Sequence, residues 1–179
     1  MDWQAIIQFW FEEIQPAQWW KKDLEFDAEL RQRFAAVHAQ AARCELWHWR
    51  SAPHGRLAEI IILDQFSRNM FRDQPASFAH DAHALTLAQE AVAAQADTPL
   101  TPLERSILYM PYMHSESMPV HDVARELFGK NGVQYNCDYE QKHRVIIERF
   151  GRYPHRNAIL GRESTAEELE FLSQPGSRF

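Results

Sequence analysis

Apolar positions recur at three- and four-residue intervals along most of the chain. No window alternates for long between turn signals, so the pattern predicts an all-α protein. The densest stretch is residues 57–72, LAEIIILDQFSRNMFR, read as one helix. Ile60, Ile62, Leu63, Phe66, Met70 and Phe71 cover most of its circumference. Asp64, Gln65, Arg68, Asn69 and Arg72 fall within about 140° of arc at about 100° per residue. A helix that is apolar on nearly every side is a buried one, and buried charge needs partners. The polar stripe is therefore predicted to face an interior cleft.

The other elements follow from the same periods and from their end signals. Asp2 can cap a helix over 3–14, which Pro16 ends, and a long helix is predicted over 27–49. Residues 51–55 break the chain before the central helix, and an Ala-rich helix follows over 78–95. Thr101-Pro102-Leu103-Glu104 combines an N-cap, a first-turn proline and a capping-box glutamate, opening a helix over 103–110. Pro111 is expected to kink or end it just before His114. Helices over 120–128 and 138–150 stop at Gly129 and Gly151, and Ser164 to Glu168 offers capping boxes for a last helix to 172. Residues 1–174 read as a single domain and 175–179 as a frayed tail.

Length is consistent with that division, since 179 residues bury about 70% of the unfolded surface in one core. All six tryptophans lie in the first 49 residues and are assigned to packing. The net charge of −6 argues against nucleic-acid or anionic-membrane partners. Neither a basic-apolar leader nor a run of about 18 apolar residues is present, so the expected compartment is the cytoplasm, with no membrane contact. Cys44 and Cys137 read as small buried apolar residues.

Charge type changes the picture more than charge sum. Fifteen of the 19 basic residues are Arg, the side chain suited to bidentate contact with carboxylate or phosphate. Polar residues concentrate in three stretches: Asp64 to Arg72, Tyr109 to Glu116, and Arg149 to Glu163. Between Gln141 and Arg162 six basic residues face Glu148 alone, a local charge of +5. Each stretch also has a purely structural reading. Asp64 and Arg68 stand at i and i+4 and suit an internal salt bridge, and the loop arginines suit helix C-termini or Glu116 and Glu163. His114 and His155 suit hydrogen-bonded core positions. No established metal-ligand spacing, nucleophile elbow, dinucleotide glycine motif or P-loop is present, so no metal is predicted and the cofactor is left unknown.

The chain resembles the bacterial DUF924 family over nearly its whole length. The likeness rests on Phe9-Trp10-Phe11, Trp19-Trp20, Leu63-Asp64-Gln65-Phe66 with Arg68-Asn69, Phe71-Arg72, Phe78, Asp81, Met110-Pro111, His114-Ser115-Glu116, Phe150-Gly151-Arg152 with Pro154-His155-Arg156-Asn157, Leu160 to Ser164, and Phe171-Leu172. Ser67, Tyr153 and His121 depart from residues frequent in that family. The resemblance implies a TPR-like right-handed array of antiparallel helix pairs whose concave side could hold the three motifs, and it implies no activity.

These readings converge on an interior cleft for an anionic small molecule or a peptide carboxylate. Arg68, Arg72, Arg152 and Arg156 would hold the anion, Asn69 and Asn157 would orient it, and Asp64, Glu116 and Glu163 would fix the arginines, with Gln65 and Arg162 completing the lining. Two alternatives stay open. One is a hydrolase or transferase using His114 or His155 as general acid or base beside Asp64 or Glu116; the other is an adaptor that binds protein through its groove.

Overall fold

Capping decides where the helices begin and end, and it moves several from where periodicity alone puts them. The computed structural model describes residues 1–177. The chain opens with α1 (Trp3–Gln8), which passes into a π-helical turn at Phe9–Glu13, and with the one-turn α2 (Pro16–Trp19). The Asp23 carboxylate then accepts from the backbone N–H groups of Glu25 and Phe26 at 3.1 and 3.3 Å. As a result α3 (Leu24–Ala42) starts earlier than the predicted residue 27. It also ends earlier, because Cys44 adopts a left-handed conformation with φ 60°. Cys44 N–H reaches Ala41 O and Glu45 N–H reaches Gln40 O at 2.9 and 3.0 Å, a Schellman-type end without the usual glycine.

The predicted central helix is present as three joined pieces, α4 (Pro53–Ile61), a π-helical segment Ile62–Phe66, and α5 (Ser67–Met70). Every residue from 57 to 67 is buried. Phe66 packs against Phe34 and Phe9 with ring centroids 4.9 and 6.0 Å apart, and Trp10 stacks on Trp19 at 5.4 Å. The aromatic N-terminus therefore builds the core, although Trp20 and Trp47 stay exposed.

Four longer helices complete the frame: α6 (Asp81–Ala93), α7 (Pro102–Met113), α8 (Met118–Asn131) and α9 (Gln134–Phe150), followed by α10 (Ala166–Leu172). Helix α6 packs on α4 and α7, α7 on α4 and α8, and α8 on α9. The capping boxes Thr101–Glu104 and Thr165–Glu168 form as predicted. Helix α7 runs through Pro111 for two more residues and ends at Met113, just before His114, so the proline takes one N–H out of the helix ladder without breaking it. Helix α8 runs through Gly129 and stops at left-handed Gly132, while Gly151 ends α9.

Two further corrections concern the cysteines, which are both free: Cys44 is exposed and Cys137 half-buried. Cys44 is drawn to the surface by its position at the end of α3. Among the described residues there is no strand, and no helix is long and apolar enough to cross a membrane. Ser177 is buried, its Oγ donating to Leu172 O at 3.2 Å, while Arg178 and Phe179 of the predicted tail lie outside the described residues.

Candidate functional site

The end of α7 and the start of α6 face each other across a cleft of about 380 Å³. Phe78, Ala79, Ala82 and Leu85 form one apolar wall; Pro111 and His114 to Glu116 form the other, and Arg156 and Leu160 close the third side. The second and third of the polar sequence stretches thus meet here, with the first directly behind them.

Asp64 is fully buried on the π-helical segment, where the wider i→i+5 turn alters the facing of successive residues. Its Oδ1 lies 2.7 Å from His114 Nδ1, and its Oδ2 accepts from Gln65 Nε2 at 2.7 Å. Burial alone would push the Asp64 carboxyl up, but His114, Arg68 and Gln65 outweigh it and hold it at about 2. Asp64 is therefore a carboxylate, so the proton between the two groups sits on Nδ1. No hydrogen bond engages His114 Nε2 among the described residues.

Arg68 reaches Asp64 at only 3.6 Å, so the predicted i,i+4 pair is secondary. Its main partner is Asp81, gripped by both terminal nitrogens at 2.7 and 2.9 Å, with Ser77 O as a further acceptor. Arg156 donates from Nη1 to Asp81 Oδ2 at 3.1 Å and from Nη2 to His114 O at 3.0 Å. Its guanidinium lies 4.6 Å from the ring centres of both Phe78 and Tyr153. Burial and then Arg68 push Arg156 down from its ordinary range, and its Nε has no acceptor among the described residues. Glu116 accepts from Tyr153 N–H at 2.7 Å and from the Arg162 fork at 2.7 and 2.9 Å.

Other residues proposed from the sequence stand elsewhere. Asn69 and Arg72 turn toward α3, both bound to buried Asp27 at distances of 2.6 to 3.0 Å. Arg152 grips Glu168 at 2.7 and 2.8 Å and reaches the Glu163 carbonyl at 2.9 Å, while the Glu163 side chain is exposed. Asn157 is buried and donates to Ser164 Oγ. His155 does not line the cleft; its ring lies 5.6 Å from that of Tyr153, and burial, with Arg156 and Arg68, lowers it to about 3.

Sequence reasoning missed Asp81 as the carboxylate that joins Arg68 to Arg156, and Phe78 and Tyr153 as the rings that sandwich Arg156. A signal existed for Asp81, a lone acid opening an Ala-rich helix. Nothing in the spacing marks its two partners, 13 and 75 positions away.

The family described as bacterial protein of unknown function (DUF924) matches residues 6–176. The chain belongs to the DUF924 family. A solved structure titled as the protein of unknown function ATU0120 from Agrobacterium tumefaciens is similar to this DUF924 protein, with 37% identity and a TM-score of 0.90 over 95% of this chain and 96% of that one. Among curated proteins none matches. The family and the neighbour establish the DUF924 fold and lend no chemistry, so the cleft itself must supply the functional reading. Among the described residues no group of three or more His, Cys, Asp or Glu side chains is placed to hold a metal ion.

Proposed function

We propose that this DUF924 protein takes a small anionic molecule into the α6–α7 cleft and uses His114 as the proton-exchanging group toward it. The supporting observation is the 2.7 Å contact between His114 Nδ1 and the buried Asp64 carboxylate at the wall of that cleft. An ionised Asp64 fixes the tautomer, leaving Nε2 with a lone pair for the ligand. In a hydrolysis or group transfer, Nε2 takes the proton of the attacking hydroxyl or water and returns it to the leaving group. His155 is the weaker candidate because it does not line the cleft.

Hydrogen-bond accounting supports an anion. Both oxygens of Asp81 and both of Glu116 already accept from arginines, whereas His114 Nε2 makes no hydrogen bond among the described residues, and Arg156 Nε and Arg162 Nε are buried without an acceptor. The capacity left over is therefore for donation, from the positive guanidinium edge of the cleft and from a protonated His114 Nε2, which suits carboxylate or phosphate oxygens. Phe78, Leu85, Pro111 and Leu160 offer contact to an apolar portion. The TPR-like right-handed array is part of this proposal, and the successive packing of α6 to α9 is compatible with such an array of neighbouring helices.

A panel of chromogenic carboxylic esters, amides and phosphate monoesters tests the reading. We expect turnover of one class, falling about 10²-fold or more in His114→Ala and Asp64→Asn. Arg156→Lys keeps the charge but loses the fork, and it should raise KM more than it lowers kcat. Activity that survives His114→Ala unchanged would remove His114 from the mechanism.

A further inference from the structure

Three successive backbone carbonyls around His114 each accept a hydrogen bond from a side chain of another segment. Met113 O takes the Tyr153 hydroxyl proton at 2.6 Å, His114 O takes Arg156 Nη2 at 3.0 Å, and Ser115 O takes His121 Nε2 at 2.9 Å. These carbonyls lie at the end of α7, where a helix has no further N–H groups to fill its acceptors. Water would normally fill them. Here a set of buried side chains does so on both sides of the histidine that faces Asp64.

The proton positions in this set are dictated by the partners. A carbonyl only accepts, so His121 Nε2 carries a hydrogen toward Ser115 O. The Tyr153 hydroxyl donates to Met113 O, so at 3.2 Å it can only accept from that same Nε2. His121 Nδ1 lies 2.8 Å from Glu140 Oε1, and both side chains are almost wholly buried in the α8–α9 contact. Glu140 therefore fixes the His121 ring, and the ring in turn points Nε2 at Ser115 O and at the Tyr153 hydroxyl that holds Met113 O. Burial pushes the Tyr153 hydroxyl far above its ordinary value, so it stays a donor at any working pH.

We propose that His121, oriented by Glu140, is a positioning residue that holds the backbone of His114 so that its Nδ1 meets Asp64. Its relevance to chemistry rests on the cleft reading given above, but the geometry it sets is measurable in the resting protein. The two nitrogens of His121 can be separated by substitution. A Gln places its amide nitrogen near Nε2 and keeps a donor for Ser115 O; an Asn places its amide near Nδ1 and keeps a partner for Glu140 only.

The experiment is NMR of the full chain with 15N-labelled histidine, following the imidazole Nδ1–H of His114 under its hydrogen bond to Asp64. In His121→Gln combined with Glu140→Gln, which leaves no buried unpaired carboxylate, the resonance should persist as in the parent. In His121→Asn its exchange with water should rise about tenfold or more. Where turnover is found, kcat should fall about 10- to 100-fold in His121→Asn and recover in the Gln pair, the range expected for a misplaced catalytic group. A His121→Asn protein that keeps the parent resonance, or a Gln pair that loses it, overturns the proposal. The parent protein provides a check that needs no variant to fold: an unprotonated His121 Nε2 in its 15N spectrum also overturns it. If the resonances behave as expected while every substrate fails, the positioning role stands and the proposed function does not.

Discussion

Glu59 is 0% exposed within α4, a position that no unpaired carboxylate tolerates. Arg50, in the 3-10 turn just before the helix, meets it with two hydrogen bonds of 2.7 Å. The pair lies outside the cleft, so removing one partner reads stability alone. Arg50→Met should cost about 3–5 kcal/mol in urea unfolding, because it strands a buried charge, whereas Arg50→Met with Glu59→Met should recover much of that loss. Asp27 plays a similar part for Asn69 and Arg72, which explains why these two members of the polar stripe are absent from the cleft. At residue resolution the sequence identified most of the charged side chains that matter. It did not pair them, because Arg72 with Asp27 and Arg156 with Asp81 are 45 and 75 positions apart.

Among the elements, glycine placement separates two meanings that the sequence does not distinguish. Gly129 lies inside α8 with no neighbouring atom within 4 Å of the place where an alanine methyl would stand, while Gly132 ends the helix at φ 75°. Gly129→Ala should therefore stabilise by about 1 kcal/mol, and Gly132→Ala should destabilise by about 1 kcal/mol, as thermal melts of the two variants would show. Equal effects of the two changes would mean that α8 ends at Gly129 after all. The π-helical segment at Ile62–Phe66 matters in the same way. A regular helix would place Asp64 to Arg72 on one stripe, and the wider turn contributes to their division between the cleft and α3.

For the whole molecule, acidity is the informative variable. His143 and His155 are held neutral mainly by burial, each lowered from 6.5 to about 3, and His38 is lowered to about 4 by burial and His80. Protons therefore bind the unfolded chain first as pH falls. The stability these groups contribute is complete above pH 6.5 and is lost on the way down to their folded values. At pH 4.5 each has lost about 2–3 kcal/mol relative to pH 7, whereas Asp64, depressed to about 2, keeps its contribution until pH falls below 3.8. Urea midpoints should drop steeply between pH 6.5 and 4.5; a flat profile there would show that these histidines accept protons in the folded state. Apolar periodicity, capping boxes and the arginine excess are local properties, so the sequence by itself determined the helical class, the buried central helix and the three polar stretches. Long-range packing alone decided that His114 meets Asp64, that Arg156 lies between Phe78 and Tyr153, and that His121 grips the end of α7. The physical reason is that side-chain spacing fixes a face only along one helix, whereas a cleft is made by which faces meet.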